Sequence, residues 1–479
     1  MFEEQVKVCL DVAAKMGASY SDVRVNKIHR KMLRLDNRGS RVFNDVDLTL
    51  GVRVIVKGSW GFCGSSILDN EYCKRVSERA VRVARAASAV NKSKVTLTEE
   101  PTLNERYSNN FIKHPLKVED QEIYDLLDTA VKTLKESGKR IKSFSATFQG
   151  FEEEKLIVTS EGTCVQQKLV GCGSSIQGWA TENGNMVRRS YPQSLGLNLA
   201  TKGYEWIQEV DLINNATRIG CELEELLDAR CYPQGFTDLL LADDMLALQI
   251  HETVGHPTEL DRALDMEWDF AGSTFLTPEK VGLKFGSNCV NVVADATISG
   301  GAGSYYFDDE AVKGKKVDLI KDGVFVGYQT SRETAALLGL SKSSGGMRAM
   351  SGLHQPLVRM SNINLLAGDW TREEIIKDTK QGLLITAPLM EIFDQRRRTF
   401  TFSGEIGWRI KNGEIAGVVK EPIYSGQTLN FWHNCDAIAK DGWTLFSSGC
   451  GKGRPHQTVR VGHYCSLARF RNVLSRCFE

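Results

Sequence analysis

Two histidines and a glutamate lie within six residues of one another, at His251, Glu252 and His256 in the segment HETVGH. Imidazole nitrogens and carboxylates are donors that proteins use to bind zinc, and a glutamate beside a metal can act as a general base. The spacing H-E-x-x-x-H is one residue longer than the H-E-x-x-H signature, which places two histidines on one helical face. The segment therefore predicts a metal site with an unusual geometry.

An apolar stripe places these residues at the end of a helix. Leu246, Ile250 and Val254 recur every four residues, which is the period of one helical face. Histidines five positions apart would lie roughly 140° apart on a straight helix, too far for both rings to reach one ion. We therefore expect the helix to end at Gly255, with this glycine in a left-handed conformation that turns the second histidine back toward the first.

A catalytic zinc usually has three protein ligands and one open position, so a further donor must come from elsewhere in the chain. Cys450 is one candidate, because it lies between glycines in the segment GCGKG and near Lys452, whose charge favours a thiolate. His456 is an alternative that spacing does not exclude. The segment is not a P-loop, since Phe446 and Gly453 stand where glycine and serine or threonine are required.

Residues 300–310, GGAGSYYFDDE, form a second candidate segment. Its glycines, tyrosines and acids could line a substrate cleft, and Tyr305 or Tyr306 could donate a hydrogen bond to a developing oxyanion. His354 is a further candidate donor. The alternative interpretation is a glycine turn followed by a solvated acidic loop.

Composition excludes several classes of function. Lys+Arg and Asp+Glu number 60 each, so no net charge would attract nucleic acid or an anionic membrane. The sequence lacks a long apolar span, and its N-terminus is typical of an acidic amphipathic helix, not of a signal peptide. With twelve scattered cysteines, these features predict a cytoplasmic protein with reduced thiols. The three arginines at 396–398 are interpreted as a solvated loop.

The predicted elements favour an α+β fold. In residues 1–229, strand-like runs and helices do not alternate strictly, which argues for antiparallel hairpins with helices and against a parallel doubly wound sheet. We expect one N-terminal mixed α/β domain over this range, which could comprise two units, residues 1–110 and 111–229. The β-rich C-terminal domain, residues 230–479, would carry the metal-site helix.

Local signals predict two hairpins and three short helices in the C-terminal part. Asp322-Gly323 and Asn412-Gly413 suit the type I′ turns of two-residue hairpins. The short helices are predicted at residues 331–338, 371–382 and 436–441.

Several motifs, in order along nearly the whole chain, resemble those of the TldD/PmbA metallopeptidase family, and specifically its TldD-like subunit. The matching segments are HETVGHPTELD, GSYYFDDE, the KDGVFVGY hairpin, SSGGMRAMSGLHQPLVRMSN, FSGEIGWRIKNGEI and GCGKG. The chain departs from the family pattern at Arg454, where glutamine is frequent, and at His463-Tyr464-Cys465, where a Gly/Pro run is usual.

The resemblance implies that zinc is the cofactor, held by His251, His256 and Cys450, and that Glu252 is the catalytic glutamate. It also implies a peptidase acting on unfolded or modified peptides, as a homodimer or as a heterodimer with a PmbA-like subunit that lacks the metal motif. We expect the peptide to bind in extended form along a sheet edge, with metal-activated water as the nucleophile. The candidate substrate-binding residues are Glu259, Tyr305, Tyr306, Asp308 and His354.

Two alternative functions come from other classes. In the first, the zinc is structural, a fourth ligand such as His456 closes the site, and the protein is a peptide-binding or assembly module. In the second, the chain is a zinc hydrolase acting on a non-peptide amide, which a narrow closed pocket would favour.

Overall fold

The computed structural model describes residues 2–268 and 272–477. The N-terminal part forms one seven-stranded sheet covered by helices. Its strands are β1 (Tyr20–Asp36), β2 (Gly39–Val56), β3 (Ser59–Ser65), β4 (Asn104–Ser108), β5 (Ile141–Thr159), β6 (Cys164–Glu182) and β7 (Asn185–Tyr191). Its helices are α1 (Glu3–Lys15), α2 (Asn70–Ser88), α3 (Asp120–Glu136), α4 (Glu205–Val210) and α5 (Leu212–Asp228).

The N-terminal sheet has the order β3-β2-β1-β5-β6-β4, with β7 also paired to β6. Strand β4 is parallel to β6, and the other neighbours are antiparallel. Two apolar cores lie between the sheet and its helices. Helices α1 and α2 cover one, around Val23 and Val52, and helices α3 and α5 cover the other, around Phe148 and Ile176.

The C-terminal part consists mainly of strands. These are β8 (Gly235–Leu241), β9 (Val292–Asp295), β10 (Lys316–Lys321), β11 (Val324–Phe325), β12 (Met347–Arg348), β13 (Leu357–Val358), β14 (Ile363–Leu365), β15 (Gln381–Phe393), β16 (Thr399–Lys411), β17 (Glu414–Lys420), β18 (Pro422–Gln427), β19 (Cys435–Ile438), β20 (Thr444–Lys452), β21 (Gln457–Cys465) and β22 (Ala468–Cys477). The helices are α6 (Asp243–Ile250), α7 (Leu260–Ala263), α8 (Arg332–Leu337), α9 (Arg372–Asp378) and α10 (Thr428–His433).

Five of these strands pair in a closed ring, in the order β15-β8-β22-β18-β16 and back to β15. The β8–β15 pair is parallel, and the others are antiparallel. Helix α6 starts two residues after β8, and its Met245, Leu246 and Ile250 share one buried core with Leu239 of β8 and Phe402 of β16. The ring therefore fixes the start of the metal-site helix.

The α+β fold class is confirmed, and so are both hairpin turns. Asp322 and Gly323 have φ values of 49° and 73°, and Asn412 and Gly413 have 52° and 82°, as type I′ turns require. Helices α8 and α9 were both predicted. The third predicted short helix is wrong, because Cys435–Ile438 is strand β19 and pairs with β22.

Within the described ranges, no helix has both the length and the apolar character needed to cross a bilayer.

Candidate metal centre

The metal-binding segment continues the helix, with a wider turn. After α6, residues His251–Gly255 form one π turn and His256–Thr258 form a 3₁₀ turn. The His256 N–H donates to the His251 carbonyl, five residues back. Because a π turn closes over five residues, it brings these two histidines to one side of the helix. Gly255 has a φ of −57°, so the left-handed conformation that we predicted for it is wrong.

Close packing gives the physical reason for glycine at 255. A Cβ atom there would lie 2.2 Å from the Met360 sulfur, and Met360 is fully buried. The glycine is therefore needed for a close approach to another part of the chain, not for an unusual backbone angle.

The three predicted ligands converge. The ligand atoms of His251, His256 and Cys450 all lie within 4.8 Å of one another, and all three residues are buried. Cys450 comes from β20, and its sulfur lies 3.5 Å from the His256 Nε2 atom. Over the described ranges, this is the group of donors that could hold a metal ion. His456 lies on the wall of the same cavity but outside this group.

A chain of hydrogen bonds orients His251. The His463 Nδ1 atom lies 3.0 Å from the Ile363 carbonyl, which can only accept, so Nδ1 carries the proton and donates. Burial, reinforced by His251, lowers the pKa of His463 well below its usual range, so its Nε2 atom has a lone pair. That atom accepts from the His251 Nδ1–H at 2.9 Å, which leaves the His251 Nε2 lone pair for a metal.

Glu259 orients His256 in the same way. Its carboxylate accepts from the His256 Nδ1–H at 2.9 Å and from Arg262 Nε at 2.7 Å. Burial raises the pKa of Glu259, but Lys452, His256 and Arg262 outweigh it and hold the pKa well below its usual range. Glu259 is fully buried and is not among the residues that line the cavity. The structure therefore does not support the predicted substrate contact and places the carboxylate where it orients His256.

The environment of Cys450 favours the thiolate that a metal would need. Burial raises the pKa of the Cys450 thiol, but protonated His256 and Arg359 outweigh it and bring the pKa below its ordinary value. A metal bound there would replace the proton on His256 Nε2. Arg359 also donates to the Cys450 carbonyl. Two imidazole nitrogens with free lone pairs and a thiolate are a donor set that fits zinc.

A cavity of about 760 Å³ opens beside these donors. Glu252 lies on its wall, with one carboxylate oxygen 3.8 Å from His251 Nε2 and the other 3.2 Å from Arg397 Nε. Burial raises the pKa of Glu252, but Arg397, His256 and His251 outweigh it and lower the pKa. The cavity thus contains an ionised carboxylate next to the metal donors.

Arg397 also lines this cavity, and it corrects our interpretation of residues 396–398. Arg396 and Arg398 are exposed, but only 1% of the Arg397 side chain surface is accessible. Its guanidinium stacks on Phe393, 3.8 Å from the ring centroid. Three consecutive arginines give no signal that distinguishes the middle one.

Neither predicted tyrosine lies in the cavity. Tyr305 is buried, and its hydroxyl donates to the Gly345 carbonyl at 2.6 Å. Tyr306 stacks on Tyr107, with a centroid distance of 4.6 Å. Neither is among the residues that line the cavity, so the proposed oxyanion contacts from these hydroxyls are not supported.

Asp308 and His354 also lie elsewhere. The buried Asp308 carboxylate accepts from the backbone N–H groups of Val312 and Met347, at 2.9 and 3.0 Å. His354 Nδ1 pairs with the Ser351 hydroxyl at 2.9 Å. Neither residue lines the cavity. The side chains of Tyr305, Tyr306 and Asp308, in the candidate segment 300–310, therefore make contacts within the protein and do not line the cavity.

Comparison with known proteins identifies the family of this chain. Residues 234–463 match the PmbA/TldA metallopeptidase C-terminal domain, and residues 113–219 match the central domain of the same proteins. A metalloprotease of Methanocaldococcus jannaschii is 30% identical over 460 residues, which cover 96% of each chain. The chain belongs to the TldD/PmbA metallopeptidase family.

Further relatives of this TldD/PmbA-family metalloprotease support the same assignment. The zinc metalloprotease TldD homolog of Saccharolobus solfataricus is 26% identical and covers 94% of this chain and 95% of its own length. The crystal structure of TldE from Thermococcus kodakarensis has a TM-score of 0.78 and covers 99% of this chain and all of its own, with 15% identity. That likeness shows a shared fold.

Proposed function

We propose that this TldD/PmbA-family metalloprotease uses zinc to cleave unfolded or modified peptides that bind in extended form. The donor set of His251, His256 and Cys450 supports zinc, because both imidazoles have an Nε2 lone pair available and the thiol favours its ionised form. Zinc bound there would supply a Lewis acid for the scissile carbonyl and lower the pKa of water to about 7.

Glu252 is the general base in this proposal. Its carboxylate removes a proton from the attacking water and delivers it to the leaving amine. The observation that carries this role is its position between the metal donors and the cavity, 3.8 Å from His251 Nε2. The oxygen nearest these donors is Oε1, whereas Oε2 lies 3.2 Å from Arg397 Nε, so Oε1 is the atom that would accept that proton.

The free edge of β20 supports backbone recognition of an extended peptide. On this edge, the Gln193 side-chain amide bonds to both the backbone N–H and the carbonyl of Ser447, as a neighbouring strand would. Because strand backbones alternate in direction, Gly449 directs its N–H and carbonyl to the same side as Ser447. Gly449 lies on the cavity wall next to Cys450, where a peptide could add as a strand.

A structural zinc is less well supported. Such sites normally have four protein ligands, whereas catalytic sites keep one position open. The donor group in the described residues has three members, with the cavity beside them.

The first experiment compares zinc content and cleavage of an unfolded peptide for the wild type, Glu252→Gln and the control Glu373→Gln. Glu373 is exposed on α9 and lies outside the cavity. We expect about one zinc per chain in all three, with cleavage lost only in Glu252→Gln. Cleavage by Glu252→Gln at the wild-type rate would refute the general base.

The partner is tested by the same assay. If no protein cuts although all bind zinc, a candidate PmbA-like subunit is added. Cleavage that then depends on Glu252 supports a heterodimer. If the wild type already cuts alone, its mass in solution shows whether the active form is a homodimer.

A further inference from the structure

Arg397 is a buried cation whose hydrogen-bonding capacity is largely unused. Among the described residues, its Nε, Nη1 and Nη2 atoms all lack a hydrogen-bond partner. Within the same residues, its one printed ion pair is with Glu252, whose carboxylate lies 3.2 Å from Nε without the alignment of a hydrogen bond. Buried polar groups in folded proteins are nearly always hydrogen-bonded, and an unpaired guanidinium is costly to bury. The arrangement therefore implies an acceptor that arrives from outside the chain.

The loop around Arg397 holds the side chain in this position. Arg397 has a φ of 61°, in the left-handed region. The Asp394 carboxylate accepts from the backbone N–H groups of Arg396 and Thr399, at 3.0 and 2.6 Å. The Thr428 hydroxyl donates to the Arg397 carbonyl at 2.6 Å. With the backbone held on both sides and Phe393 under the guanidinium, the donors are fixed before any ligand binds.

The position of these donors indicates which acceptor they serve. Glu252 lies between His251 Nε2 and Arg397, at 3.8 Å from the first and 3.2 Å from the Nε atom of the second, so only this carboxylate group separates the guanidinium from His251. A peptide carbonyl attacked by water at Glu252 would lie beside both groups. Its oxygen becomes negatively charged during attack, and none of the three oxyanion donors predicted from the sequence, Tyr305, Tyr306 and His354, lines the cavity.

We propose that Arg397 binds the oxygen of the scissile carbonyl through its Nη atoms and stabilises the negative charge that develops there. The inference rests on the proposed peptidase function. As the water oxygen bonds to the carbonyl carbon, a water proton moves to Glu252 and the C=O π electrons move to the oxygen facing Arg397. When the tetrahedral species collapses, the C–N bond breaks and Glu252 returns the proton to the amine.

The matched variants are Arg397→Gln and Arg398→Gln, since Arg398 is the exposed neighbour in the same loop. For Arg397→Gln we expect kcat to fall about 10²–10³-fold, the loss typical when one oxyanion donor is removed. KM and zinc content should stay near the wild-type values. Arg398→Gln should match the wild type in kcat, KM and zinc content. A wild-type kcat in Arg397→Gln would overturn the inference.

A second readout does not depend on turnover. A phosphinic peptide mimics the tetrahedral species, and its affinity for the zinc-loaded protein is measured by calorimetry. We expect Arg397→Gln to weaken this binding by about the factor lost in kcat/KM, because the variant removes an interaction of the transition state. Unchanged affinity would overturn the inference. If Arg397→Gln does not fold, Arg397→Lys replaces it, since it keeps the charge but not the planar pair of donors.

Two other roles for Arg397 give different results. If it anchors a substrate C-terminal carboxylate, the loss will be confined to free-acid peptides and absent for amidated ones. If it only lowers the pKa of Glu252, Arg397→Gln will raise that pKa. The loss of kcat will then vanish on the alkaline plateau of the pH–rate profile, where Glu252 is ionised in both proteins. Either result overturns the proposal, and an equal loss on both peptides that persists at the plateau supports it.

The assay separates failure of this inference from failure of the proposed function. Equal cleavage by wild type and Arg397→Gln removes the role of Arg397 and leaves the peptidase proposal intact. Wild-type cleavage by Glu252→Gln removes the proposed mechanism whatever Arg397 does. If the wild type cuts no peptide, the phosphinic peptide measurement alone decides whether Arg397 contacts the tetrahedral group.

Discussion

Two arginines of this protein are equally buried but differently paired. Arg53 and Arg397 each expose 1% of their surface. Arg53, on β2, donates to Asp22 at 2.9 Å and to Glu310 at 3.1 Å, and it stacks on Trp60 at 4.3 Å. It thereby ties the N-terminal sheet to the segment that contains Glu310.

Within the described residues, Arg397 has one printed ion pair, with the poorly aligned Glu252 carboxylate, and its three guanidinium nitrogens have no hydrogen-bond partner. The pKa values follow the pairing. Burial lowers the pKa of Arg53, but Asp22 and Glu310 outweigh it and raise the pKa. Burial lowers the pKa of Arg397, and Glu252 does not outweigh it. The guanidinium that holds the fold together has its hydrogen-bond donors paired with carboxylates. The guanidinium that could bind a ligand has donors without a partner.

The largest expected effect is on stability, at Arg53. Arg53→Met leaves two buried carboxylates unpaired, so we expect the free energy of unfolding to fall by about 3–5 kcal/mol. Arg397→Met should cost less, because it leaves one buried carboxylate, Glu252, without its cation instead of two and breaks no aligned hydrogen bond. Urea unfolding of both variants measures the difference. Equal losses would contradict the contrast between the two arginines.

The second test concerns His463, which lies behind the metal donors and whose two ring nitrogens are both hydrogen-bonded. His463→Phe removes the acceptor for the His251 Nδ1–H, so we expect zinc affinity to fall about 10–100-fold, as for other residues that orient metal ligands. Competition with a chelator measures this affinity, and Tyr464→Phe is the adjacent control. Wild-type affinity in His463→Phe would show that the hydrogen-bond chain does not orient the ligand.

The third test concerns the packing that shapes the centre. Gly255→Ala places a methyl group against the Met360 sulfur, so we expect a loss of about 1–3 kcal/mol in stability and reduced zinc content. Adding Met360→Ala should restore part of the zinc content by making room. Full zinc content in Gly255→Ala alone would refute the close approach as the reason for glycine.

The smallest effect is expected at residues that the structure places outside the cavity. Tyr306→Phe and His354→Ala should change kcat/KM less than about twofold, because neither side chain contacts the cavity. Peptide cleavage by the two variants measures this. A large loss in either would mean that substrate reaches beyond the cavity wall.

The sequence predicted chemistry better than it predicted geometry. The convergence of His251, His256 and Cys450 could be predicted, because residue types and motif order carry that information. The π turn could not, since spacing alone allowed a helix end at Gly255. The close approach of Met360 to that glycine could not be predicted either, because it comes from a distant segment. Arg397 was missed for a related reason, because only its place in a folded loop distinguishes it from Arg396 and Arg398.

The same difference applies to the fold. Local patterns were sufficient for the hairpins at Asp322-Gly323 and Asn412-Gly413, since turn chemistry lies within two residues. They were insufficient for the parallel pairing of β8 with β15, whose residues are far apart in the chain. The helix predicted at residues 436–441 was wrong because its first three residues belong to β19, where pairing with β22, and not local periodicity, decides the conformation.

The π turn also relates this centre to the commoner zinc helix. A π turn is an α-helix that has accepted one extra residue. In this protein the π turn is tied to a neighbouring helix, because the hydroxyl of Thr253 in the turn accepts a hydrogen bond from the indole N–H of Trp432 at 2.9 Å. Removing one residue between Glu252 and His256 would leave H-E-x-x-H, with both histidines on one face of an ordinary helix. In evolutionary terms, the two kinds of metal helix are separated by a single codon.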